Sequence, residues 1–236
     1  MCDNCGEHVT GRTGSTRDGA RIIVVGHAGV GRTTVSALVA RILARSGGRV
    51  VVVDGSDDSR LGALLGTTDT DTVTGGDGVR LVHVGPDRPW ADVPALGPGE
   101  VLVADGPAGQ GSCGRSLVRG FDIVLVVVDP RPVSVSSGLE LALLAAGEGI
   151  GTVHLVVNRT ATDTDVLEVL VRLDDLGGFG FDSVTSLPDD RAVDGVTPVD
   201  GLLAGSALGD AAIGLVAGAL SPGVLTAVRA PVGAPA

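Results

Sequence analysis

Apolar residues recur along the chain in two alternating rhythms. Arg21–Val25 is a short β-rich run that leads into a glycine-rich turn. Beyond the turn, Val35, Leu38, Val39, Ile42 and Leu43 fall at i, i+3, i+4, i+7 and i+8, one apolar face of a helix that Gly47–Gly48 stops. Arg49–Asp54 (RVVVVD) is a continuous apolar run, which fits a strand covered on both faces. Val79–Val84, Glu100–Asp105, Asp122–Asp129 (DIVLVVVD) and Thr152–Asn158 read as further strands. Leu139, Ala142, Leu143 and Ala146 mark one helix between them, and Val166, Val169, Leu170 and Leu173 mark the next. Strand and helix alternating at this spacing predict βαβ units around a mostly parallel sheet, an α/β fold. In such folds a ligand sits outside the C-terminal ends of the strands.

The two ends of the chain break the pattern. Residues 1–20 lack apolar periodicity and are rich in Gly, Ser, Thr and Asp, and the stretch after residue 220 is equally poor in pattern. The expected organisation is therefore an arm over 1–20, one domain over 21–220 and a tail over 221–236. With 236 residues, 44% of them hydrophobic, the chain is long enough for one domain with a sizeable core. The formal net charge is -11, and all 17 basic residues are arginine. That surface does not suit broad attraction to nucleic acid or anionic lipid, and with 2% aromatics it lacks stacking platforms for single strands. Three cysteines make no disulfide framework and no secretory signal is evident, so a cytoplasmic protein is expected. The longest apolar stretch, Ala211 to Leu220, is about half of what spans a bilayer. Its neighbourhood has no Arg between residues 192 and 228, so the basic face of a membrane-surface helix is missing.

The turn after the first strand carries the chemistry. It reads Gly26-His27-Ala28-Gly29-Val30-Gly31-Arg32-Thr33-Thr34 between a strand and a helix, which is the context of the phosphate-binding pattern GxxxxGK[ST]. Gly26, Gly31 and Thr33 match, and Arg32 replaces the lysine. Glycines let backbone N–H groups converge on a phosphate, and the following helix adds its positive dipole end. In that arrangement Thr33 offers a hydroxyl to Mg2+ and Arg32 reaches the β- and γ-phosphates. Arginine's planar fork is wider than an ammonium, so turnover is less secure than binding.

HAGVGRTT resembles the deviant Walker A motif, KGGxGKT[ST], of the MinD/ParA branch of P-loop ATPases. Within that branch the chain is most similar to the nickel-insertion ATPases of carbon-monoxide dehydrogenase maturation. The resemblance spans about residues 21–205 and implies a three-layer P-loop NTPase fold. Three more segments carry it. Asp54-Gly55-Ser56-Asp57-Asp58 is similar to a DxDPDxNL-like stretch, which implies that Asp54 and Asp58 organise Mg2+ and the attacking water. Val101-Leu102-Val103-Ala104-Asp105-Gly106-Pro107-Ala108-Gly109 looks like a Walker B strand running into a switch, with Asp105 in the Mg2+ shell. Leu155-Val156-Val157-Asn158-Arg159 places an Asn where the family contacts adenine. Ala161 stands where a GTPase would carry the Asp of NKxD, which points to ATP. Leu187-Pro188-Asp189-Asp190 resembles the loop that closes over the base, so Arg159, Pro188 and Asp189 join Asn158 as expected base-side residues.

The resemblance further implies an ATP-driven homodimer serving a metalloenzyme client. His27 occupies the place of the family's signature lysine, which weakens the charge offered across such a dimer. Cys2-x2-Cys5 is half of a tetrahedral metal site, and two copies could complete one for Ni2+ or Zn2+; an arm with two free thiols is the alternative. Cys113, after the switch segment, is either a third ligand or a buried structural residue. His83 and His154 read as strand-end or core histidines and Trp90 as a packing anchor. A positioning or partition ATPase, and a nucleotide-bound scaffold that does not hydrolyse, remain as other readings.

Overall fold

The computed structural model describes residues 19–55, 60–66, 73–74, 78–84, 95–106, 118–190 and 198–220. Among the described residues, eight strands form one sheet: β1 (Arg21–Gly26), β2 (Arg49–Asp54), β3 (Val73–Thr74), β4 (Val79–His83), β5 (Glu100–Asp105), β6 (Ile123–Val128), β7 (Thr152–Thr160) and β8 (Ser183–Pro188). Their spatial order is β3-β4-β2-β5-β1-β6-β7-β8. All pairings are parallel except that of β3, which runs antiparallel to β4 at the edge. The helices are α1 (Arg32–Arg45), α2 (Arg60–Leu64), α3 (Pro132–Gly147), α4 (Asp163–Asp175), α5 (Val199–Leu202) and α6 (Ala207–Ala219).

Alternation within each strand divides the interior into two cores. Ile22 and Val24 of β1, Val101 and Val103 of β5, and Leu125 and Val127 of β6 pack with α1 and α6 on one face. Ile23 and Val25, Leu102 and Ala104, and Val124 and Val126 pack with α3 and α4 on the other. Neither face is left to water, which is why the strands read as unbroken apolar runs. The expected three layers and mostly parallel sheet are thus observed.

Some elements are not legible in the sequence pattern. β8 is one: of SVTSLP only Leu187 is fully buried, so no alternation announces a strand. β7 runs on past Asn158 to Thr160 through a bulge, with Arg159 in the left-handed region at φ 60. A side-chain-bearing residue is uncommon there, and the kink turns Arg159 outward, where it is exposed.

Parallel strands bring their C-terminal ends to one edge of the sheet. Across that edge Asp54 stands in register with Asp105 on one side and His83 on the other. β1 delivers its turn between Asp105 of β5 and the end of β6. Among the described residues, no helix is long and apolar enough to cross a membrane.

Candidate functional site

The Gly26–Thr34 turn is shaped by close approaches that exclude side chains. A Cβ on Gly26 would lie 2.3 Å from the Val127 carbonyl oxygen of β6. Gly31 has φ 91, and a Cβ there would meet Asn158 Nδ2 at 2.3 Å. Asn158 itself donates from Nδ2 to the Val30 carbonyl at 2.8 Å, so the end of β7 grips the turn directly. Gly31 caps α1 without a side-chain bond, and the first turn of α1 carries no acid, so nothing within the helix offsets its positive end. His27 lies at the outer rim, where its Nδ1 is 2.9 Å from the Ala28 carbonyl and donates in the tautomer protonated there.

Beneath the turn, α1 and β5 share a polar cluster. Thr33 Oγ1 donates to Asp105 Oδ2 at 2.7 Å, and Ser36 Oγ donates to Asp105 Oδ1 at 3.1 Å. Arg32 is buried, and its guanidinium donates to the Gly106 carbonyl just past the end of β5. Asp105 has no exposed surface. Burial pushes its carboxyl from 3.8 up to about 6, with neighbouring Asp54 adding to the rise. The Thr33 hydrogen bond, the Arg32 charge and the Ser36 hydrogen bond pull the other way without cancelling it. A carboxylate kept out of water beside a glycine loop is a group set up to meet a cation.

On the far side of the turn, Thr160 Oγ1 lies 2.9 Å from Ser186 Oγ and donates to the Leu187 carbonyl at 3.2 Å. Asp189 N–H donates to the Thr160 carbonyl at 3.0 Å, continuing the β7–β8 ladder. Asn158, Arg159, Pro188 and Asp189 are therefore neighbours at the ends of two paired strands. Asp54 is buried, with its Oδ2 3.7 Å from Nδ1 of half-exposed His83. His154 is a core residue, its Nδ1 2.8 Å from Ser183 Oγ.

The structure thus brings together the residues expected around a phosphate: Gly26, His27, Ala28, Gly29, Val30, Gly31, Arg32, Thr33, Thr34 and Asp105, with Asp54 one strand away and Asn158 against the loop. Asp58, Cys2, Cys5, Cys113 and Trp90 lie outside the described residues. Among the described residues no group of three or more His, Cys, Asp or Glu side chains is arranged to hold a metal ion. Sequence reasoning missed Ser36; its signal was the three-residue step from Thr33, which sets both hydroxyls on one helical face.

No family model matches the chain. It is 24% identical over 229 residues to the carbon monoxide dehydrogenase accessory protein CooC of Rhodospirillum rubrum, a match covering 73% of this chain and 85% of that protein. Among solved structures it is similar to the septum site-determining protein MinD of Pyrococcus horikoshii OT3 in complex with Mg-ADP. That likeness has a TM-score of 0.64 and 17% identity, over 84% of this chain and 94% of MinD. It is similar as well to a ParA family ATPase of Chlorobium tepidum TLS, with a TM-score of 0.63 and 16% identity over 84% of this chain and 98% of the other. The chain thus has the fold of the MinD and ParA P-loop proteins and is similar in sequence to CooC.

Proposed function

We propose that this protein is an ATP-dependent molecular switch that closes as a homodimer around nucleotide and acts as an accessory to the assembly of a metal centre in a client enzyme. The observation that carries the nucleotide half is the Thr33–Asp105 pair at the foot of the glycine loop. The donors there are a hydroxyl and a carboxylate, hard oxygens of the kind Mg2+ takes, so the pair fits that ion. Bound there, Mg2+ supplies charge neutralisation for phosphoryl transfer to water.

The chain's own residues have distinct tasks in this reading. The loop N–H groups cradle the phosphates. Arg32 leaves the Gly106 carbonyl to meet the β- and γ-phosphates. Thr33 and Asp105 hold the ion, while Asp54 and Asp58 order the attacking water. Asn158 fixes the loop and, with Arg159, Pro188 and Asp189, flanks the base. The metal-centre half is supported by the match to CooC and by the Cys2-x2-Cys5 arm, with Cys113 as a further thiol for Ni2+ or Zn2+ as cargo. A client metalloenzyme and a cytoplasmic site of action belong to the same reading.

One observation favours a second reading. Arg32 donates to a main-chain carbonyl and stands where family members carry lysine, which suits a scaffold that holds nucleotide without hydrolysing it. The deciding experiment combines calorimetry with ATP, ADP and GTP, solution mass with ATP and Mg2+ in the presence and absence of Ni2+, and phosphate release. ATP-dependent doubling of mass with phosphate release supports the switch. Doubling or retained nucleotide without release supports the scaffold. No heat with any nucleotide sinks both.

A further inference from the structure

The cluster beneath the loop contains a side chain to which the proposed function gives no task. Ser36 is fully buried in α1, one turn beyond Thr33. A serine in a helix interior is a poorer helix former than alanine, and a buried hydroxyl must find a partner. Such a serine commonly bonds back to the carbonyl four residues earlier. Ser36 instead spends its hydrogen on a different element, Asp105 Oδ1 of β5 at 3.1 Å.

Asp105 therefore has each oxygen held by a different hydroxyl of one helical face. The two holders are not equivalent. Thr33 sits at the lip of the loop and is partly exposed, whereas Ser36 lies below it and has no exposed surface. From this we infer that Ser36 is a positioning residue: it pins Asp105 Oδ1 so that, when Thr33 turns its hydroxyl to a divalent cation, Oδ2 is released facing that cation and the carboxylate does not rotate. The inference rests on the phosphate-site reading proposed above. Thr33 is the exchangeable half of the clamp and Ser36 the permanent half.

The test is ATP binding by calorimetry on the full chain across a series of free Mg2+ concentrations and in EDTA, for the parent, Ser36→Ala and Ser36→Thr. Losing one hydrogen bond to a buried charged group should raise the half-saturating Mg2+ concentration of Ser36→Ala roughly tenfold. ATP affinity in EDTA should stay within about twofold of the parent, because the loop is untouched, a split that simple loss of folding would not give. Ser36→Thr, which keeps the hydroxyl, should return the Mg2+ requirement to near the parent's. An unchanged Mg2+ requirement in Ser36→Ala overturns the inference, as does an affinity loss equal in Mg2+ and in EDTA. Parent protein that takes up no ATP in either condition overturns the phosphate-site reading itself, and the inference falls with it.

Discussion

Asp105 gives the most direct test of the site, because its ionisation works against the fold. In an unfolded chain its carboxyl titrates at 3.8, and in the folded protein at about 6. The folded state therefore binds the extra proton between those values, and stability falls as pH rises from one to the other. Above pH 6 the whole cost is present. The gap corresponds to about 3 kcal/mol, from roughly 1.4 kcal/mol for each tenfold change in proton affinity. Asp105→Asn removes the charge while keeping the shape and the capacity to bond with Thr33 and Ser36. In EDTA at pH 7.5 the variant should be more stable than the parent, by about 1–3 kcal/mol. For a domain of this size that raises Tm by roughly 2–12 °C. At pH 4 the parent's carboxyl is largely protonated in the folded state, so the two proteins should melt within about 2 °C of each other. Thermal melts of both proteins at the two pH values, with Mg2+ chelated, decide the matter. A variant less stable than the parent at pH 7.5 would refute the reasoning, since it would mean that Arg32 and the hydroxyls more than offset the desolvation of the carboxylate.

Two further outcomes follow from the loop. Gly31→Ala should destabilise the protein by about 2–4 kcal/mol in urea titration, because a left-handed backbone and a 2.3 Å approach to Asn158 Nδ2 are both forced on the new methyl; a change under 0.5 kcal/mol would show that the loop is free of β7. On the proposed switch reading, His27→Lys places a cation at the rim, and together with Arg32→Lys it should raise ATP-dependent phosphate release several-fold; a double variant no faster than the parent in a phosphate assay rules out these two positions as the brake.

Much of the fold was legible because a sheet covered on both faces leaves a plain signature. RVVVVD and DIVLVVVD are too apolar for a surface strand and too short for most helices. β8 was illegible for the complementary reason: at the edge it buries only Leu187 fully, and its place is set by bonds from β7 rather than by its own pattern. At the site, the glycine spacing and the strand-end Asp105 were readable because a tight strand-to-helix turn and a buried acid at a strand end constrain residue type. The pairing of Arg32 with Gly106, of Ser36 with Asp105 and of Asn158 with Val30 was not. Each joins residues 69 or more positions apart, and a linear pattern carries no information on such contacts.

The grip of Asn158 on the loop has a consequence for any attempt to move the motif. The curvature of residues 26–34 is enforced partly from outside, by an amide on a strand that arrives 128 residues after Val30. Transplanted alone into another scaffold, the nonapeptide would keep its glycines and lose its brace. Conversely, a library that randomises position 158 would be selecting loop shape as much as ligand preference, and its hits would have to be sorted by structure before being read as changes in taste for one base over another.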